Sequence, residues 1–200
     1  MKKIEPVEDK EVLALVKTAV TSSDPKESGK SMVALRALAS DRVLGALAYA
    51  LLKDECRQEV LYLMLSEFKD ERLGPFLAQC IMKADGDVLL LAVTVAKGVK
   101  SRELLPALIE RALKSEYGVT RSSGGMGGSV HFESDSVFAN AAEALHQITD
   151  GKIGVKEYIR RKDPDTKEMQ ALTAKWNEWW QANKPKEKDG EKKALETPKE

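Results

Sequence analysis

The sequence predicts an all-α chain, a right-handed α-solenoid of about four antiparallel helix pairs closed by a C-terminal capping helix. Three observations predict it. The segment Asp70-Glu71-Arg72-Leu73-Gly74-Pro75-Phe76-Leu77 recurs as Asp41-Arg42-Val43-Leu44-Gly45-Ala46-Leu47-Ala48, as Ser101-Arg102-Glu103-Leu104-Leu105-Pro106-Ala107-Leu108 and, more faintly, as Asp9-Lys10-Glu11-Val12-Leu13-Ala14-Leu15-Val16. The four starts, at 9, 41, 70 and 101, lie 32, 29 and 31 residues apart, an interval expected of one supersecondary unit stacked on its neighbours. Each copy places a capping residue three positions before a large apolar side chain, and the apolar positions that follow keep helical spacing.

In the first unit, Asp9 caps a helix whose apolar stripe is Val12, Leu13, Val16, Ala19 and Val20. Thr21-Ser22-Ser23-Asp24-Pro25 ends it, and a second helix runs from about Glu27 through Met32, Val33, Leu35 and Leu38. This is the weakest unit, as suits an end whose outer face meets water. In the second unit, Val43, Leu44, Leu47, Ala48, Leu51 and Leu52 share one face. Lys53-Asp54-Glu55 turns the chain into a helix with Val60, Leu61, Met64, Leu65 and Phe68 inward and Glu59, Tyr62 and Ser66 outward.

The third unit carries the cleanest stripe, Leu73, Phe76, Leu77, Cys80 and Ile81. Asp85-Gly86-Asp87 then leads into residues 88–96, apolar nearly all round. Its β-branched content is compatible with a buried strand, but the repeat register assigns it to a helix flanked on both sides. Pro75 and Pro106 occupy the same place in their copies, and each is expected to remove a backbone bond and bend its helix near the start, where the cost of about 3 kcal/mol for an interior proline is reduced.

The fourth unit departs from the pattern. After a helix over 104–114, a glycine-rich insertion over 116–134 precedes a second helix opening near Ser134 or Asp135, which buries Val137, Phe138, Ala141, Ala142, Leu145 and Ile148. A connection this long is either functional or without fixed structure. Three readings stand: a mobile insertion without chemistry, a loop that contacts a partner through Arg121, His131 and Phe132, or an anion site. The last lacks both a preceding strand and a lysine with a following serine or threonine.

Beyond residue 149 the register is lost. Residues 155–161 form a short helix or an irregular piece, and Asp163-Pro164-Asp165 breaks the chain again. A last helix over 166–183 holds all three tryptophans, with Trp176, Trp179 and Trp180 on one broad face. That face either closes the open end of the stack or forms an aromatic docking patch. Residues 184–200, rich in lysine and glutamate, read as a solvated, disordered tail. The domain reading is therefore one solenoid over 1–183 followed by the tail at 184–200.

Residues 70–77 and 101–108, with leucine followed two places later by proline, resemble the first-helix signature of HEAT repeats. The interval near 30 is similar to that of the short bacterial kind grouped with the HEAT-like repeats of phycobilisome lyases. The resemblance spans about 9–149, and a tryptophan followed by a tryptophan pair and an asparagine is similar to a C-terminal ending of such bacterial proteins. It implies an α-solenoid whose concave surface holds another macromolecule, most often a protein. It implies no catalytic residue, and lyase activity does not follow from scaffold positions.

Composition narrows the function. Lys and Arg number 32 and so do Asp and Glu, so no global field draws the chain toward nucleic acid or an anionic membrane. The longest apolar run is too short to span a bilayer, and residues 1–10 lack a secretory apolar region, which predicts a soluble cytoplasmic protein, a removed leader being the alternative. Cys56 and Cys80 are too few for a disulfide framework or a zinc cluster. Antiparallel pairing about residues 69 and 70 brings them level, as two buried thiols or as a bridged or reactive pair.

Candidate chemistry is sparse. His131 and His146 lack metal-ligand spacing, Ser122 and Ser123 lack a nucleophile-elbow context, and the carboxylates concentrate at helix starts, where capping accounts for them. The sequence predicts neither catalytic residues, metal site nor cofactor. The preferred function is a monomeric, non-enzymatic scaffold that binds a protein across its second helices, through Arg36, Tyr62, Thr94, Lys97 and Asn140 together with Arg121, His131 and Phe132. A nucleic-acid-binding or repair-like HEAT protein is the alternative, which zero net charge disfavours.

Overall fold

The computed structural model describes residues 3–53, 57–124, 130–151 and 166–184, and of residues 120–134 and 166 it describes the backbone alone. Most of these residues are helical. The helices are α1 (Lys10–Thr21), α2 (Pro25–Ala37), α3 (Ser40–Leu52), α4 (Arg57–Ser66), α5 (Gly74–Lys83), α6 (Gly86–Val99), α7 (Leu105–Glu110), α8 (Val137–Ile148) and α9 (Thr166–Asn183). Two strands, β1 (Gly118–Gly124) and β2 (Val130–Ser136), lie between α7 and α8.

Helix neighbours alternate in a regular way. In one row α1 touches α3, α3 touches α5, α5 touches α7 and α7 touches α9, while α4, α6 and α8 follow one another in a second row. The sequential pairs α1 with α2, α3 with α4, α5 with α6 and α7 with α8 join the rows. One core of buried apolar residues runs through all of them, from Ile4 to Trp176. The arrangement follows from the apolar stripes: a helix with one greasy face has to bury it against a neighbour, and the flanked α6 buries residues on several sides, among them Leu89, Leu90, Ala92, Val93, Val95 and Ala96. Residues 88–96 are thus helical, as the register requires.

Local chemistry sets the boundaries. Asp9 Oδ1 accepts from Val12 N at 3.1 Å to cap α1, Asp24 Oδ1 accepts from Lys26 N at 2.8 Å to cap α2 with Pro25 at its first residue, and Ser136 Oγ accepts from Ala139 N at 3.1 Å to cap α8. Gly86 opens α6 with φ +55°, a conformation in which a β-carbon would be strained. The cap expected at Asp41 is absent: α3 starts at Ser40, so Asp41 lies in its first turn and is paired with Arg72 instead.

The expected proline bends also give way to another device. A single 3₁₀ turn, Glu71–Leu73, precedes α5 and another, Arg102–Leu104, precedes α7. Pro75 and Pro106 are therefore each the second residue of an α-helix, where the missing N–H has no intrahelical acceptor to lose. The same junction occurs twice, 31 residues apart.

Val33 is 63% exposed on α2, whose buried positions are Ser31 and Leu35. Other differences have equally local causes. The helix expected over 104–114 breaks at Arg111, whose side chain reaches back to accept no helical role and instead donates to Ala84 O at 3.2 Å and to Asp85. The insertion carries two paired antiparallel strands, Gly118 opposite Ser136, Arg121 opposite Glu133 and Gly124 opposite Val130, and residues 125–129 between them lie outside the described residues. The described residues are mostly helical, consistent with an all-α chain that carries one short strand pair. Cys80 is buried in α5, whereas Cys56, the 155–161 segment and residues 185–200 of the predicted tail lie outside the described residues.

Candidate functional site

Arginines at the start of α3 and in the turn before α5 reach carboxylates at the starts of α1 and α3. Arg42 Nε meets Asp9 Oδ2 at 2.7 Å and its Nη2 meets Glu11 at 2.6 Å; Arg72 Nη1 meets Asp41 at 2.9 Å while its Nη2 holds Asp70 at 2.8 Å. Arg36 of α2 pairs with Glu67 just past α4. The bond from Arg42 holds the Asp9 carboxyl below the usual carboxylate range, and bonds from Arg72 and Arg36 do the same for Asp70 and Glu67.

On the second row, α4, α6 and the end of β2 enclose a cleft of about 370 Å³. Helical spacing brings Gln58, Tyr62 and Leu65 to its α4 wall, and Asp87, Leu90, Leu91 and Thr94 to its α6 wall, with Asp135 of β2 closing one end. Tyr62 is 47% exposed, an unusual amount for so large an apolar ring. Thr94 Oγ1 is turned back onto Leu90 O at 2.8 Å, so the threonine offers its methyl group more readily than its hydroxyl.

The hairpin is anchored beside this cleft. Tyr117, just before β1, donates its hydroxyl to Asp87 Oδ1 at 2.6 Å, and that bond raises the phenol above its ordinary value. Val137 N donates to Tyr117 O at 3.0 Å. Asn140 Nδ2 donates to Ser136 O at 2.9 Å and to Asp135 Oδ1, which locks the strand-to-helix corner.

Of the residues singled out from the sequence, Tyr62 and Thr94 come together in the cleft. Lys97, one turn beyond Thr94, is held by Glu143 of α8 at 3.0 Å, and Arg36 is engaged by Glu67 away from the cleft. Asn140 is 5% exposed and structural, not outward: its amide is consumed by the corner it holds. Arg121, His131 and Phe132 lie on the paired strands, opposite Glu133, Ser123 and Ser122 respectively, and their side chains lie outside the described residues. Sequence reasoning missed Gln58, Asp87 and Asp135. Its clue to the last was available, since glycines flanked on both sides by β-prone residues signal a hairpin.

A second cleft, of about 410 Å³, lies between α7 and α9 and is lined by Arg102, Glu103, Leu105, Pro106, Trp179, Trp180 and Asn183. Trp176 is fully buried beneath it and meets the Trp179 ring edge-on at 5.6 Å. Among the described residues no group of three or more His, Cys, Asp or Glu side chains is placed to hold a metal, and no helix is long and apolar enough to cross a membrane. No family model matches the chain, nor does any curated protein or solved structure.

Proposed function

We propose that the chain is a HEAT-like α-solenoid of about four helix pairs that serves as a non-enzymatic scaffold, holding a segment of a protein partner against its second helices. The observation that carries this reading is the meeting of Tyr62 and Thr94, from successive second helices, in one cleft with a half-exposed aromatic ring and an apolar floor. Rings presented in this way supply contact area at small entropic cost and dominate binding energetics. The repeated 3₁₀-to-α junction and the arginine links between units support the stacked architecture.

The nucleic-acid alternative finds less support. Among the described residues lining the cleft there are two carboxylates and neither lysine nor arginine, the reverse of what a phosphate backbone requires.

A photo-crosslinking amino acid, p-benzoylphenylalanine, placed at position 62 or 94 in the full chain in its native cells tests the proposal, with position 33 on α2 as the control. Protein adducts at 62 and 94 but not at 33 are expected. Adducts to nucleic acid, or none at 62 and 94, overturn it.

A further inference from the structure

We infer that the segment received by the α4–α6 cleft presents a lysine or arginine side chain beside an apolar one, an inference that rests on the docking reading above. Charge complementarity carries it. Both charged groups lining the cleft are carboxylates, Asp87 and Asp135, and they approach it from different elements, the first turn of α6 and the last residues of β2. Each accepts from a neutral donor, Tyr117 Oη and Asn140 Nδ2 respectively, which leaves the negative charge in place. Among the described residues neither has a cationic partner.

Lys97, one turn beyond Thr94, is committed to Glu143 at 3.0 Å. The cleft thus keeps an unbalanced charge beside a partly exposed tyrosine ring, and an ammonium or guanidinium group satisfies both, through charge-assisted bonds and through the ring face. Leu65, Leu90 and Leu91 supply the floor for the apolar neighbour, and the long methylene stem of a lysine or arginine packs on the same floor while its head reaches the rim. An anionic segment would meet two carboxylates, and a purely apolar one would bury them uncompensated.

Selection of phage-displayed random dodecapeptides on the full chain tests the inference. Lys and Arg are expected to be enriched at least threefold over the unselected library, and a selected peptide is expected to bind more weakly as salt rises. The double variant Asp87→Asn and Asp135→Asn keeps an acceptor for Tyr117 and for Asn140, so it retains the fold by circular dichroism while losing at least tenfold in peptide affinity. Enrichment of peptides without basic residues, no enrichment, or equal binding by the double variant overturns the inference. So does a concentration-dependent dimer abolished by Tyr62→Ala, which makes the occupant a second copy. Failure here is separable from failure of the docking reading: a protein adduct at position 62 whose crosslinked segment lacks Lys and Arg removes only the charge claim.

Discussion

Gly74 lies against Ser101 so closely that a β-carbon built on the glycine would overlap the Cβ and Oγ of the serine, with Ser101 Cα 3.9 Å from the same point. Gly74 sits in ordinary right-handed helical geometry, so alanine there would gain up to about 1 kcal/mol of helix preference. Overpacking costs about 1–3 kcal/mol, and the serine Cβ cannot swing aside without moving backbone. The overlap wins. Gly74→Ala is expected to lower the urea midpoint, corresponding to a net loss of about 1–2 kcal/mol, and Ser101→Gly in that background is expected to restore most of it. A variant as stable as the parent would show that the two starts are not in contact.

The carboxyls of Asp9, Asp70 and Glu67 are held below their ordinary values by arginines, chiefly through direct hydrogen bonds from Arg42, Arg72 and Arg36 respectively. A depressed folded value means that the unfolded chain takes up protons first as pH falls. Their contribution is therefore complete above the unfolded values, at about pH 5 and higher, and is lost as pH falls through the lower folded values. Stability measured by urea unfolding is expected to decline from about pH 5 downward. Replacing Arg42 and Arg72 by glutamine is expected to flatten that decline and lessen its dependence on salt. An unchanged acid slope in the double variant would count the links as ornamental.

Asn140 is buried with its amide given to Ser136 O and to Asp135, so Asn140→Ala would leave a carbonyl and a carboxylate short of a donor at the corner between β2 and α8. A cost of about 1–3 kcal/mol is expected for removing the buried amide from these two half-buried acceptors, one of them charged. Because the corner joins the hairpin to the second row, backbone amides of residues 118–119 and 135–137 are expected to exchange hydrogen faster, while those of α3 and α5 keep their protection. Uniform loosening across the chain would contradict a local clasp.

Legibility in the sequence tracked how local the determining physics is. The stripe Leu73, Phe76, Leu77, Cys80 and Ile81 and the inward set of α8 are buried as periodicity predicts, because one apolar face per helix leaves little choice of orientation. The helix expected over 166–183 is α9, Thr166–Asn183. The hairpin escaped notice because its glycines suggested a loop, and the pairing of Gly118 with Ser136 joins residues whose relation a helical register does not address. Asp41 reads as a cap because capping is local, whereas its partner Arg72 is supplied by the turn before α5. The cleft was half legible: Tyr62 stood out as an outward aromatic, but Asp87 and Asp135 come from a helix start and a strand end, positions where a carboxylate has an ordinary local explanation.

Trp176 reports on whether α9 closes the row formed by α1, α3, α5 and α7. Its ring is fully buried, and among the described residues its indole N–H has no hydrogen-bond partner. Two terms therefore oppose each other in any replacement. Trp176→Ala removes the whole ring and is expected to cost about 3–5 kcal/mol, exposing the outer side of α7. Trp176→Phe keeps most of the apolar volume and discards the unpaired donor, whose burial is itself unfavourable by about 1–3 kcal/mol. It is expected to cost well under half as much as the alanine variant, or nearly nothing. Trp180→Ala, on a half-buried ring at the cleft with Pro106, is expected to fall between them. Thermal unfolding followed by circular dichroism orders the three. If phenylalanine proves as damaging as alanine, the indole N–H has a partner that matters, and α9 is held by a polar contact rather than by apolar closure.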